Sequence, residues 1–307
     1  MRIDKRSALA LGGTTLALLA AFSWLGLQGS APARAAGSLF AIGLLLGSFL
    51  NVLAFRLPQM MEQAWQREAA EACGLPPPEQ APLSLSHPHS HCPGCRNTLK
   101  TWQLVPVFSY LLLRGRCAFC ASPISPRYPL VELSVGLIFA AVGWRLGPSP
   151  AALAHLVLLY LLLALALIDL DSKLLPDSLT QPLLWLGLLA NLLQSLAPLQ
   201  DAVIGAMAGY LSMWLIAAAF RLCTGKEGLG IGDFKLMAAL GAWLGWEALP
   251  LIITIGSISS ALVGIALIIA KRTEREQTQP FGPFLIAGGI VALLWGKEIT
   301  RWYLALA

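Results

Sequence analysis

Residues 151–169 read AALAHLVLLYLLLALALID. The stretch from Ala151 to Ile168 carries no formal charge, and it ends on a carboxylate, Asp169. A run of that length is what a helix needs to cross about 30 Å of hydrocarbon. Similar runs lie on either side of it, at 37–57, 128–147, 179–197, 201–222, 234–250, 251–270 and 282–304, with one more at 8–28. The 307 residues are 57% hydrophobic and only 12% charged, against about 25% charged in soluble domains. The expected fold class is therefore an all-α polytopic membrane protein with about eight to nine transmembrane helices.

Charge placement sets the expected topology. With a cytoplasmic N-terminus and one crossing per run, 17 of the 21 Lys and Arg fall on the inside and only Arg34, Arg145, Lys297 and Arg301 on the outside. Such an asymmetry is the positive-inside pattern. The net charge of +5 follows from it and suits anionic membrane lipids; it gives no argument for nucleic acid. Four segments follow. Residues 1–36 are an extra N-terminal helix or a signal-like segment, and the length of the apolar part favours a retained helix. Residues 37–57 form a transmembrane helix, 58–127 a cytoplasmic loop domain, and 128–307 a transmembrane core.

The loop domain has its own chemistry. After a short amphipathic helix at Gln59–Cys73, it carries Cys92-Pro-Gly-Cys95 and Cys117-Ala-Phe-Cys120. Two C-x2-C knuckles at this spacing predict a zinc-ribbon-like site in which Cys92, Cys95, Cys117 and Cys120 hold a structural Zn²⁺. Four thiolates leave no open coordination position, and a reducing cytoplasm disfavours disulfides. His87, His89 and His91 are read as a solvated linker, and Cys73 and Cys223 as ordinary thiols. Upstream, Gly47 and Ser48 mark a small-residue packing face, Asn51 is expected to bond a neighbouring helix, and Arg56 to snorkel. Glu132, a few residues into the next span, needs a partner, for which Arg127 is available.

Carboxylates at a membrane boundary are costly and point to function. Asp169 lies near a helix C-terminus, where the dipole disfavours an anion and no capping rule accounts for it. Asp171 is 200° away around the helix and nearer water beside Lys173, and Asp177 follows Pro176 as an N-cap or first-turn residue. The other notable carboxylate, Asp233, closes the glycine-rich stretch Gly228-Leu-Gly-Ile-Gly-Asp233 and is expected to cap the helix that follows. Asp169 and Asp233 are expected to meet as a catalytic pair sharing one proton. One carboxylate would activate water and the other would polarise a scissile amide. The glycines at 228, 230 and 232 would allow unusual backbone angles and the close approach of an extended substrate strand. No G-x-x-x-x-G-K-[ST] or H-E-x-x-H occurs, and the four His at 87, 89, 91 and 155 do not suggest a Ser–His system.

These motifs in order resemble the type IV prepilin peptidase family. They are Gly47-Ser-Phe-Leu-Asn-Val52 with Arg56-Leu-Pro58, the paired C-x2-C, and Arg127-Tyr-Pro-Leu-Val-Glu132. Then follow Ile168-Asp-Leu-Asp171 with Leu174-Leu-Pro-Asp177, Gly225–Lys235, and Pro280-Phe-Gly-Pro283. The resemblance implies an aspartic endopeptidase of the bacterial inner membrane, with its catalytic face toward the cytoplasm and Asp169 and Asp233 as its catalytic residues. Its implied substrates are prepilins and type II secretion pseudopilins, cut after a glycine that ends a basic leader. S-adenosylmethionine then serves as methyl donor for the new N-terminus; no residues of the donor site are readable. A peptidase without methyltransferase activity is the narrower alternative. A transporter or assembly component is the alternative of a different class.

Overall fold

The computed structural model describes residues 31–76, 83–193, 195–226, 228–270 and 279–306. Among them the backbone is helical, with isolated bridges in place of strands. The expected span at 8–28 lies outside the described residues. Each of the other eight apolar runs is helical over most of its length, with 234–250 divided between two helices. The chain divides into two compact units, one running through Leu156 and one beginning at Val157.

In the first unit, α1 (Ala31–Ala72) packs along α3 (Arg127–Leu146), and between them the chain forms the cysteine loops and a short α2 (Phe108–Leu112). Helices in lipid gain little from hydrophobic exclusion, so close backbone approach has to supply the attraction. A Cβ at Gly43 would come within 2.8 Å of the Gly136 Cα, and one at Gly47 within 2.7 Å of the Glu132 Cα. The small-residue face thus packs as expected. The division between a span ending at residue 57 and a separate helix from Gln59 is not seen: α1 continues through Pro58 for 42 residues. Proline removes one backbone donor, but the helix-favouring Met, Glu, Gln and Ala residues beyond it carry the helix on.

The second unit takes in the rest of α4 (Pro150–Ser172), then α5 (Asp177–Leu192), α6 (Leu199–Thr224), α7 (Ile231–Leu244), α8 (Leu249–Ile269) and α9 (Gly282–Leu306). Its centre is α7, in which Asp233, Phe234 and every residue from Leu236 to Trp243 are buried. Packing of α6 on α7 is tight because Gly205 and Gly209 face the backbone of Gly241 and Met237. At the other end of α7, buried Asn191 donates to the carbonyls of Ala242 and Trp243 and accepts from the amides of Leu196 and Ala197. Two carbonyls from the last turn of α7 and two amides of the loop ahead of α6 are thus satisfied by one side chain.

Six of the described helices are long and apolar enough to cross a membrane. Besides the five-residue α2 there remain α5 with 16 residues and α7 with 14, about 24 and 21 Å long and shorter than the hydrocarbon core. The chain is a multi-pass membrane protein.

Candidate functional site

The second unit brings the two singled-out carboxylates together. Asp169 lies in the last turn of α4 and is 4% exposed. The amide of Gly282, at the start of α9, bonds to its carboxylate, while Oδ2 is buried with no hydrogen-bond partner. Asp233 is 8% exposed, and the charge of Asp169 acts directly on it. Leu175 lies between their supports: a Cβ added at Gly232 would meet the Leu175 Cβ at 2.8 Å, and one at Gly282 would meet its Cδ1 at 3.2 Å.

Asp233 is not the N-cap of α7. Gly230 holds that position, and Asp233 is the third helical residue, its Oδ2 accepting from the Gly230 amide at 3.2 Å. The reason is reach: from the third position a carboxylate folds back onto the cap amide, as the acidic partner in a capping box does. The glycines also differ in role from expectation. The left-handed backbone falls at Gly225, with φ +70°. Gly228 is packed by Phe220 and Gly232 by Leu175, whereas at Gly230 a Cβ would find nothing nearer than the Asp233 carboxylate at 3.5 Å. The open side of the turn is therefore at Gly230, beside Asp233.

Asp177 is in the first turn of α5 behind Pro176, and Asp171 lies two residues beyond Asp169 in α4. The partner of Asp177 was not anticipated: Lys235 Nζ lies 2.7 Å from both of its oxygens. This pair joins the start of α7 to the start of α5, and the only hint of it in the sequence was that both residues sit in motifs. Gly282 was also visible only as part of Pro280-Phe-Gly-Pro283. A Cβ there would lie 2.5 Å from Asp169 Oδ2, so its smallness is what admits the carboxylate.

In the first unit, Cys92, Cys95, Cys117 and Cys120 converge with all four Sγ within 4.8 Å of one another. The two knuckles are built alike. Arg96 and Ala121, each just past a knuckle, take left-handed backbone with φ of 56° and 57°. Their amides donate to the carbonyls of Cys92 and Cys117. Paired bonds Cys92–Asn97 and Leu99–Ser90 in one loop match Cys117–Ser122 and Ile124–Gly115 in the other. The Ser122 hydroxyl is 3.5 Å from Cys92 Sγ and 3.2 Å from Cys120 Sγ, and it draws both thiols down, Cys92 to about 6. Lowered thiols favour the thiolate form that metals bind, whereas burial and the neighbouring cysteines push Cys95 up to about 11. None of His87, His89 or His91 joins this cluster.

Asn51, Arg56 and Glu132 of this unit are each held by a hydrogen bond to backbone elsewhere in the unit. Asn51 donates to the Tyr128 carbonyl at 3.2 Å, as expected of a bond to a neighbouring helix. Arg56 does not snorkel. It is 8% exposed and donates to the carbonyls of Ser84, Leu85 and Pro88, because the loop folds back over the helix and offers acceptors that the sequence did not reveal. The expected Glu132 partner, Arg127, is replaced for the same reason. Glu132 Oε2 accepts from the Val107 amide at 2.7 Å, and Ser48 also bonds to the carboxylate.

Residues 41–146 match the bacterial peptidase A24 N-terminal domain, and residues 156–265 match the type IV leader peptidase family. A protein named prepilin leader peptidase/N-methyltransferase from Aeromonas hydrophila is 52% identical over 268 residues, covering 86% of this chain and 92% of its own length. Proteins of the same name from Pseudomonas aeruginosa and Burkholderia pseudomallei are each 50% identical, over 87% and 86% of this chain and 92% and 86% of their own lengths. No solved structure matches. With identity of this level along nearly the whole length of such relatives, the chain belongs to the type IV leader peptidase family.

Proposed function

We propose that this chain is a membrane aspartic endopeptidase and N-methyltransferase, in which Asp169 and Asp233 cut the basic leader from type IV prepilins and type II secretion pseudopilins after glycine. The observation that carries the peptidase is the buried carboxylate pair: two acids within electrostatic reach, one with an oxygen that no protein group satisfies. Two buried carboxyls sharing one proton supply both roles that amide hydrolysis requires. The ionised carboxylate takes a proton from water as its oxygen bonds to the scissile carbonyl carbon. The protonated partner first polarises that carbonyl, and the C–N bond then breaks with a proton passing to the leaving amine. At Gly230 an added Cβ would meet nothing nearer than the Asp233 carboxylate at 3.5 Å, in keeping with an extended leader approaching the pair from this side.

The four cysteines fit a structural zinc ion. Two thiolates bound tetrahedrally at about 2.3 Å each lie about 3.8 Å apart, and Cys92 Sγ and Cys120 Sγ are 3.7 Å apart. The second activity rests on the relatives' name. S-adenosylmethionine, when bound, would supply an electrophilic methyl group for the new N-terminal amine. The inner membrane is the proposed location, with aspartates and cysteines toward the cytoplasm, and the Lys and Arg asymmetry supports this orientation.

The test is a cleavage assay in detergent on a basic-leader peptide with a Gly-Phe junction, read by mass spectrometry with and without S-adenosylmethionine. Wild type is expected to give a cut and then methylated product. Asp169→Asn and Asp233→Asn are each expected to lose at least about 1,000-fold in cleavage, since removal of one member of a catalytic unit costs nearly as much as removal of the whole. Cleavage near the wild-type rate by either variant would sink the pair.

A further inference from the structure

The first unit carries a half-open cavity of about 510 Å³ that is not part of the aspartate site. It lies within the roughly 300–1,000 Å³ range of pockets that take cofactor-sized ligands. Its floor is α1 and the start of α3, through Asn51, Tyr128 and Glu132; its roof is the two cysteine knuckles, through Cys92, Cys117 and Ala118. The walls are largely apolar and include Phe55, Leu104 and Tyr110.

Glu132 is the unusual feature of this cavity. It is 8% exposed, and it is held by the Val107 amide and the Ser48 hydroxyl, both neutral donors. Val107 adopts φ +59° in making that bond, a conformation that a β-branched residue rarely takes. Arg56, which also lines the cavity, spends its guanidinium on backbone carbonyls. Among the described residues no cationic side chain pairs with Glu132. A carboxylate fixed at the wall of an apolar cavity without a counter-ion favours a ligand that brings a positive charge.

We propose that this cavity is the methyl-donor site, with Glu132 as the counter-ion of the donor's positive charge. The proposal rests on the methyltransferase half of the proposed function. S-adenosylmethionine joins a flat aromatic base to a sulfonium cation, which suits an apolar cavity with one buried carboxylate. Its demethylated product, S-adenosylhomocysteine, has the same shape but lacks the sulfonium charge. A counter-ion at this position therefore discriminates donor from product, which favours product release after each transfer. It also gives the knuckles a role: they cover the cavity.

The experiment measures binding of both molecules to full-length protein in detergent by calorimetry, with zinc content determined for each variant as the check on folding. Wild type is expected to bind the donor more tightly than the product. Glu132→Gln keeps an acceptor for the Val107 amide but removes the charge. It should weaken the donor by roughly 10–100-fold, the range for a hydrogen-bonded charge, and leave the product almost unchanged. Ala118→Trp fills the cavity and should abolish binding of both. In wild type, ultraviolet cross-linking of radiolabelled donor should mark peptides from residues 48–56 or 103–132.

An unchanged donor-to-product ratio in zinc-loaded Glu132→Gln would overturn the counter-ion, and labelling confined to residues 157–307 would overturn the cavity. If wild type cleaves the peptide but neither methylates it nor binds the donor, the methyltransferase reading falls and this site with it. Methylation by wild type combined with either negative result above would overturn this proposal alone.

Discussion

Asp169 stood out in the sequence because it broke a rule: an anion at a helix C-terminus, at the edge of an apolar run, with no cap to form. Rules of that kind are local, so what they revealed was local too. The neighbours that come from far along the chain stayed hidden, including Gly282 against Asp169, Lys235 against Asp177, and Val107 against Glu132. Gly282 allows a direct test of how closely Asp169 is held. An added methyl at this position would press on Asp169 Oδ2 at 2.5 Å, and the carboxylate would have to turn or retreat. Gly282→Ala is expected to lower kcat for leader cleavage by about 100-fold, the cost of misplacing a reacting group by an ångström, with a much smaller change in KM. Steady-state kinetics on the Gly-Phe peptide would check it, and an unchanged kcat would mean that the carboxylate's placement is not limiting.

At the scale of elements, the helices were legible because hydropathy over 18 or more residues depends on nothing outside the run. Their lengths and ends were less so. The span read at 234–250 is split between α7 and α8, with a turn at Trp246–Ala248, and α1 runs on through Pro58. Both depend on packing partners rather than on composition. The contact of α6 with α7 matters most for the site, since α7 carries Asp233. Gly209 meets the Met237 backbone at 2.5 Å from where a Cβ would be, and backbone cannot step aside as a side chain can. Gly209→Ala is therefore expected to destabilise the protein by about 1–3 kcal/mol, as overpacking does, and to reduce cleavage as α7 shifts. Thermal unfolding in detergent, followed alongside activity, measures both. Loss of stability with full activity would show that the bundle absorbs the strain away from Asp233.

For the whole molecule, the division into two units separates the aspartate pair from the cysteine knuckles. The supports of Asp169 and Asp233 that the structure reveals, Gly230, Gly232, Leu175 and Gly282, all belong to the unit from Val157 onward. The four cysteines and the cavity they cover belong to the other. A small loop domain has little core of its own, so on the proposed reading a metal held by both knuckles would supply much of its stability. Cys117→Ser should then lose about one zinc per chain, together with donor binding and methylation, because the roof of the cavity is anchored through Cys117. Leader cleavage should fall by no more than a few-fold, since none of the aspartate supports lies in that unit. Metal analysis, calorimetry with the methyl donor and the peptide assay on the same preparation separate the outcomes. If cleavage and methylation fail together in an inserted, monodisperse variant, the zinc module is needed for the fold as a whole; methylation that persists without zinc would mean the cavity keeps its shape unaided.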